Sequence, residues 1–185
     1  MMIMVLLLLA GCTTVAGQPQ PAAPAPPTSA GPTRPRDVPI DDVDPCSLLT
    51  EEQREELGLD GRPVFDRSPS LLFPGDVSMC VISGFEPRAI SVSVGLVTTA
   101  GIEFFTSGNL AADLASIDIA GFPAGLARPT QYTQFCNVFV DIAPGQLVDV
   151  QALDGGGQPP IPQDQLCRDA EQAATAAMGT LLAVR

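Results

Sequence analysis

The sequence predicts an α+β domain, an antiparallel β-sheet with packed helices and two disulfides, in the order helix, hairpin, helix, strands, helix. Three observations lead there. Residues 89–97 alternate, with Ile90, Val92, Val94 and Leu96 on one face and Ser91, Ser93 and Gly95 on the other. That pattern marks a half-buried antiparallel strand. Ala143-Pro144-Gly145-Gln146 suits a type II turn, with Pro and Gly at its two central positions, between two further apolar segments. Residues 163–182 carry an apolar stripe at helical spacing, Leu166, Ala170, Ala173, Ala177 and Leu181.

The elements follow in order. Asp44 before Pro45 suits an N-cap with proline at the first helical position, opening a short turn over 45–49. Thr50 and Gln53 form a capping box for a helix over 51–57, Glu51 and Glu52 lie in its first turn, and Gly58 stops it. Residues 61–77 read as a loop with a short strand over 63–66. A strand over 79–85 carries Cys80, and Glu86-Pro87 turns the chain into the alternating strand. Residues 99–116 read as helical, restarted near Gly108, with Asn109 capping Leu110 to Ala115. A weak strand is expected over 119–127, a strong one carrying Cys136 over 131–142, and its partner over 147–153. Gly155-Gly156-Gly157 is a flexible loop, not a phosphate cradle, because no G-K-[ST] follows.

The N-terminus points to export. The apolar run Ile3 to Leu9 is too short to span a bilayer, which takes about 20 apolar residues. It ends in Leu9-Ala10-Gly11-Cys12, which resembles a bacterial lipobox. The resemblance implies a signal peptide over 1–11, cleavage before Cys12, and a diacylglyceryl group on the Cys12 thiol. The basic residues that normally open a signal peptide are missing before Ile3, so the natural start is expected further upstream. Residues 12–43 are rich in Pro, Ala, Thr and Gly and read as a disordered spacer. The folded domain is expected over 44–185.

Four further cysteines, Cys46, Cys80, Cys136 and Cys167, make an even set in an exported chain and predict two disulfides. Of the three possible connectivities, sequential pairing closes two loops of similar length. Cys167, beside the stripe of the last helix, then links that helix to the strand bearing Cys136. Zinc is disfavoured because there is no C-x2-C pair and no histidine.

Composition narrows function. With 21 acidic residues against nine basic ones and a net charge of −12, the chain repels nucleic-acid backbones. The lack of histidine excludes Ser-His-Asp and Cys-His catalysis and histidine-bound metal. Asp41, Asp42 and Asp44 lack the calcium-loop pattern. No catalytic residue, cofactor or metal is expected. The expected function is a non-catalytic, lipid-anchored binding module on the extracytoplasmic face of the cell membrane, taking an envelope protein or a small apolar ligand. The alternative is an accessory lipoprotein of a secretion or envelope complex. A carboxylate-dependent hydrolase ranks last, since no converging acidic pair is legible. Phe104 and Phe105 are adjacent and cannot share a helix face. One is expected in the core and the other at a core edge, and a ligand groove lined by Phe104 and Phe105 between their helix and the sheet is the candidate site.

The lipobox, the Pro-rich spacer, Asp44-Pro45-Cys46-Ser47-Leu48-Leu49-Thr50 leading into Glu56-Leu57-Gly58, and the later cysteines together resemble an uncharacterised lipoprotein domain common in actinobacteria. Members often carry an aromatic residue near the strand cysteine, where this chain has Val81 and Ile82. The resemblance implies location and fold, and no catalytic residues. Metabolic labelling with a palmitate analogue tests the anchor. Wild type is expected to label and Cys12→Ser to lose the label, and equal labelling of the two removes Cys12 as the acceptor.

Overall fold

The computed structural model describes residues 33–106, 108 and 110–185. The expected signal, Cys12, most of the spacer and Asn109 lie outside these residues.

The local signals near residue 44 form as read. The Asp44 side chain accepts from the Cys46 N–H at 2.9 Å and caps a 3-10 turn over Pro45–Ser47. Helix α1 (Glu51–Glu56) starts at a reciprocal capping box, in which Thr50 and Gln53 each accept the other's backbone N–H. Gln53 also ties this helix to the C-terminal one, donating to the Ala176 carbonyl at 3.1 Å and accepting from the Thr180 hydroxyl.

Seven strands follow: β1 (Val64–Pro69), β2 (Asp76–Gly84), β3 (Ile90–Val97), β4 (Ala112–Ile119), β5 (Phe122–Pro129), β6 (Phe135–Ala143) and β7 (Gln146–Asp154). A short helix, α2 (Glu103–Thr106), separates β3 from β4, and α3 (Gln163–Val184) ends the chain. All pairings are antiparallel, in the order β1-β2-β3-β7-β6-β5-β4. Two meanders, β1 to β3 and β4 to β7, are thus joined by the pairing of β3 with β7. Gly145 takes φ +70° in the turn from β6 to β7, as the second central position of a Pro-Gly turn requires.

The strand alternation sorts side chains onto two faces. Val92, Val94, Val138, Val140, Val148 and Val150 face α3, whose Leu166, Ala170, Ala173, Ala177 and Leu181 are fully buried against them. The stripe read from the sequence is therefore the inner face of α3. Both disulfides lie on this side. Cys46–Cys80 ties the 3-10 turn to β2, and Cys136–Cys167 ties β6 to α3. The opposite face packs Phe73, Phe105, Phe139 and Leu147 into a second, smaller cluster.

Three expectations differ from the fold. The helix over 99–116 is confined to Glu103–Thr106, and residues 112–119 form β4. Ala112–Ile119 has an alternating pattern that helical propensity masked, with Ile117 and Ile119 turned towards the main core. Ala120 and Gly121, at φ 54° and 84°, turn β4 tightly into β5, and the Gly121 N–H donates to Asp118 Oδ1 at 2.8 Å. The strand expected over 119–127 is therefore split by a turn. The packed unit also begins upstream of Asp44. Val38 and Ile40 are each 1% exposed, Val38 N–H donates to the Ile142 carbonyl at 2.8 Å, and Arg34 forks both oxygens of buried Asp141 at 2.7 Å. Two apolar residues, a backbone hydrogen bond and an ion pair dock this segment.

The bridges close loops of 34 and 31 residues. Alanine replacement of either pair is expected to lower unfolding free energy by about 4 kcal/mol in the loop-entropy picture, measured by denaturant titration. A loss under about 1 kcal/mol for either pair would show that the folded contacts alone hold that connection.

Candidate functional site

The register on the face away from α3 builds a floor. One row across the sheet runs Met79, Gly95, Asp149, Phe139, and the next runs Val81, Ser93, Gln151, Asn137, Ala127. At the centre of both rows β3 contributes only Gly95 and Ser93, so little side chain rises from the middle of the sheet. Larger groups stand at the margins. The result is a cavity of about 650 Å³. Ligand sites commonly enclose roughly 300 to 1,000 Å³.

The walls come from loops. Residues 70–73 between β1 and β2 cover one side, and Ser70 Oγ holds that loop by accepting the N–H groups of Leu72 and Phe73 at 3.1 and 3.0 Å. Leu110 and Ala111, before β4, close the far side, and Tyr132 and Phe135 stand on the loop into β6. Leu71 and Tyr132 are exposed at the rim.

One polar chain crosses the apolar interior. Gln151 Nε2 donates to Asn137 Oδ1 at 3.2 Å, and Asn137 Nδ2 donates to Asp149 Oδ1 at 2.9 Å. Asp149 is half-buried on the cavity wall. Removal from water pushes its carboxyl up to about 6, partly opposed by the Asn137 hydrogen bond. The buried acids, Asp141 and Asp169, are each forked by an arginine, Arg34 and Arg88. Among the described residues, Asp149 is the single carboxylate on the cavity wall, and no cationic side chain lines it. No group of three or more His, Cys, Asp or Glu among them is placed to hold a metal ion.

Phe105 is core. It is 3% exposed and stacks on Phe139 at a centroid distance of 3.6 Å. Phe104 is half-buried and tilts against Phe73 at 5.6 Å. The space directly under α2 is filled by these rings and by Phe73. The cavity lies beside them, sharing Phe73 and Phe139 as an end wall. Asp149, Asn137 and Gln151 were not singled out in the sequence. Their signal was the alternation in β7, where Asp149 and Gln151 fall between Leu147 and Leu153 on one face. Polar residues on one face of a strand ordinarily meet water, so the pattern alone does not mark a cavity.

The Asp149 carboxyl has its folded value raised from 3.8 to about 6, so the folded state binds the extra proton between those values. Its contribution to stability is full below the lower value and is lost as pH rises through the upper one. Thermal melting is expected to show wild type losing about 2 kcal/mol relative to Asp149→Asn between about pH 4 and pH 7. Parallel profiles for the two proteins would mean the carboxyl is open to water.

Comparison with known proteins places the chain. None of the curated proteins and none of the solved structures matches it. Its residues 7–180 match DUF3558, described as a protein of unknown function. Nearly the whole sequence is covered, so the chain belongs to the DUF3558 family.

Proposed function

We propose that this protein is a lipid-anchored extracytoplasmic binding module that holds a small, largely apolar ligand in the cavity on the open face of its sheet. The cavity itself carries the reading. Its floor of small residues and its loop walls, braced by Ser70, form a chamber of ligand size without any rearrangement. Apolar walls with a few converging polar groups are what small-molecule sites present. The lipobox-like Leu9-Ala10-Gly11-Cys12 supports attachment to the membrane, and two disulfides suit an oxidising compartment. One carboxyl on the wall, without a second acid beside it among the described residues, supports binding over two-carboxylate hydrolysis. A second reading, an accessory subunit of an envelope complex, is favoured by Val64 and Phe65, exposed on edge strand β1.

Titration with a neutral solvatochromic dye such as Nile red tests the cavity. A Cβ on Gly95 would meet nothing closer than 3.4 Å, so Gly95→Leu is accommodated at its base and projects the rest of its side chain into the chamber. Wild type is expected to bind and brighten the dye, and Gly95→Leu to weaken binding about tenfold or more at a similar melting temperature. Equal binding by the two proteins, or none by wild type, removes the cavity as the ligand site.

A further inference from the structure

We infer that the cavity receives a ligand whose apolar body ends in a protonated amine, and that Asp149 is the group that pairs with it. This rests on the binding reading above and supplies the chemistry which that reading leaves open.

The carboxylate on the cavity wall is left without a cationic partner among the described residues. Buried carboxylates are costly unless paired. Asp141 and Asp169 follow that rule through Arg34 and Arg88. Arg128 and Arg185 are likewise engaged, with Asp164 and Asp42. Asp149 has only the amide of Asn137, and among the described residues no donor reaches its Oδ2. An ionised carboxylate only accepts, so it sets the polarity of the chain beneath it, with the Asn137 and Gln151 amides each pointing an NH2 towards it. The network is arranged around an anion that still has lone pairs to offer.

The space above that anion is open. Gly95 lies directly across the ladder from Asp149 and presents no side chain. Phe135, Phe139 and Tyr132 line the same chamber, and aromatic rings attract a nearby ammonium. A neutral hydroxyl would satisfy one lone pair but leave the charge. An ammonium does both, through a charge-assisted hydrogen bond. The net charge of −12 acts in the same direction, concentrating cations near the surface and repelling a carboxylate-headed ligand of the same shape.

Acid should release such a ligand, because the Asp149 carboxyl titrates near 6. Among the described residues, β2, β3, β5, β6 and residues 70–73 turn no charged group into the chamber, and Tyr132 is the other titratable side chain on its wall. The pH response therefore belongs to Asp149.

Calorimetric titration of the full chain with phenylbutylammonium, phenylbutanol and phenylbutyrate separates headgroup from body. At neutral pH the ammonium is expected to bind about tenfold or more tighter than the alcohol, and the carboxylate most weakly. In Asp149→Asn, nearly identical in shape, the ammonium should fall to the level of the alcohol, whose own binding is unchanged. Wild type at about pH 5 should show the same loss. Melting curves check that the variant folds, and the wild-type ranking decides the question even if it does not. If the alcohol or the carboxylate binds as tightly as the ammonium, the amine assignment is overturned while the cavity reading stands. If none of the three binds, both are overturned.

Discussion

The antiparallel pairing of β3 with β7 is the constraint on which the rest of the structure depends. It joins residues 90–97 to residues 147–154, distant in sequence, and so turns two separate meanders into one seven-stranded sheet. α3 packs mainly on β6 and β7, while the chamber draws its floor from both meanders. The same pairing sets Gly95 opposite Asp149 and Ser93 opposite Gln151. A slip of one residue would exchange the faces of β3, sending Val92 and Val94 into the cavity and the small residues into the main core. Register here is therefore held by the apolar contacts with α3, and the cavity floor follows from it.

The two faces of the sheet do different physical work. Towards α3, valines and alanines pack with no exposed surface, and Cys136–Cys167 bonds the helix to its strand. This side supplies the stability. The other face gives part of it back. It leaves a void where a filled core would gain contacts, and it holds half-buried Asp149 with only an amide partner. A sequence selected for stability alone would fill that space with larger residues on β3. Departures of this kind from consistent packing are expected where a fold serves a ligand.

How much was legible depended on how local each signal was. The capping box of Thr50 with Gln53, the Asp44 cap and the Pro-Gly turn involve residues a few positions apart, and their chemistry is the same in any context. The cysteines at 46, 80, 136 and 167 were readable because sequential pairing joins elements that also pack together. β4 was not readable. Ala112, Leu114, Ala115 and Ile117 suit a helix as well as a strand, and only pairing with β5 through the Ala120-Gly121 turn decides between them. Phe104 and Phe105 were legible as a pair with two fates. Which ring enters the core is decided by Phe139, far along the chain.

The sequence by itself determined the alternation of β3 and β7, the caps, the turns, the apolar stripe of α3 and the disulfide set, because each is written in residue type and short spacing. Tertiary structure alone decided that the polar alternation of β7 faces a chamber rather than water. That outcome needs Ser93 and Gly95 from β3, Asn137 from β6, and walls from residues 70–73 and 110–111. No one of these segments carries a signal for a cavity. The space exists only where small side chains from one part of the chain come to lie beneath loops from three others, and the raised carboxyl of Asp149 is a property of that enclosure, not of the residue.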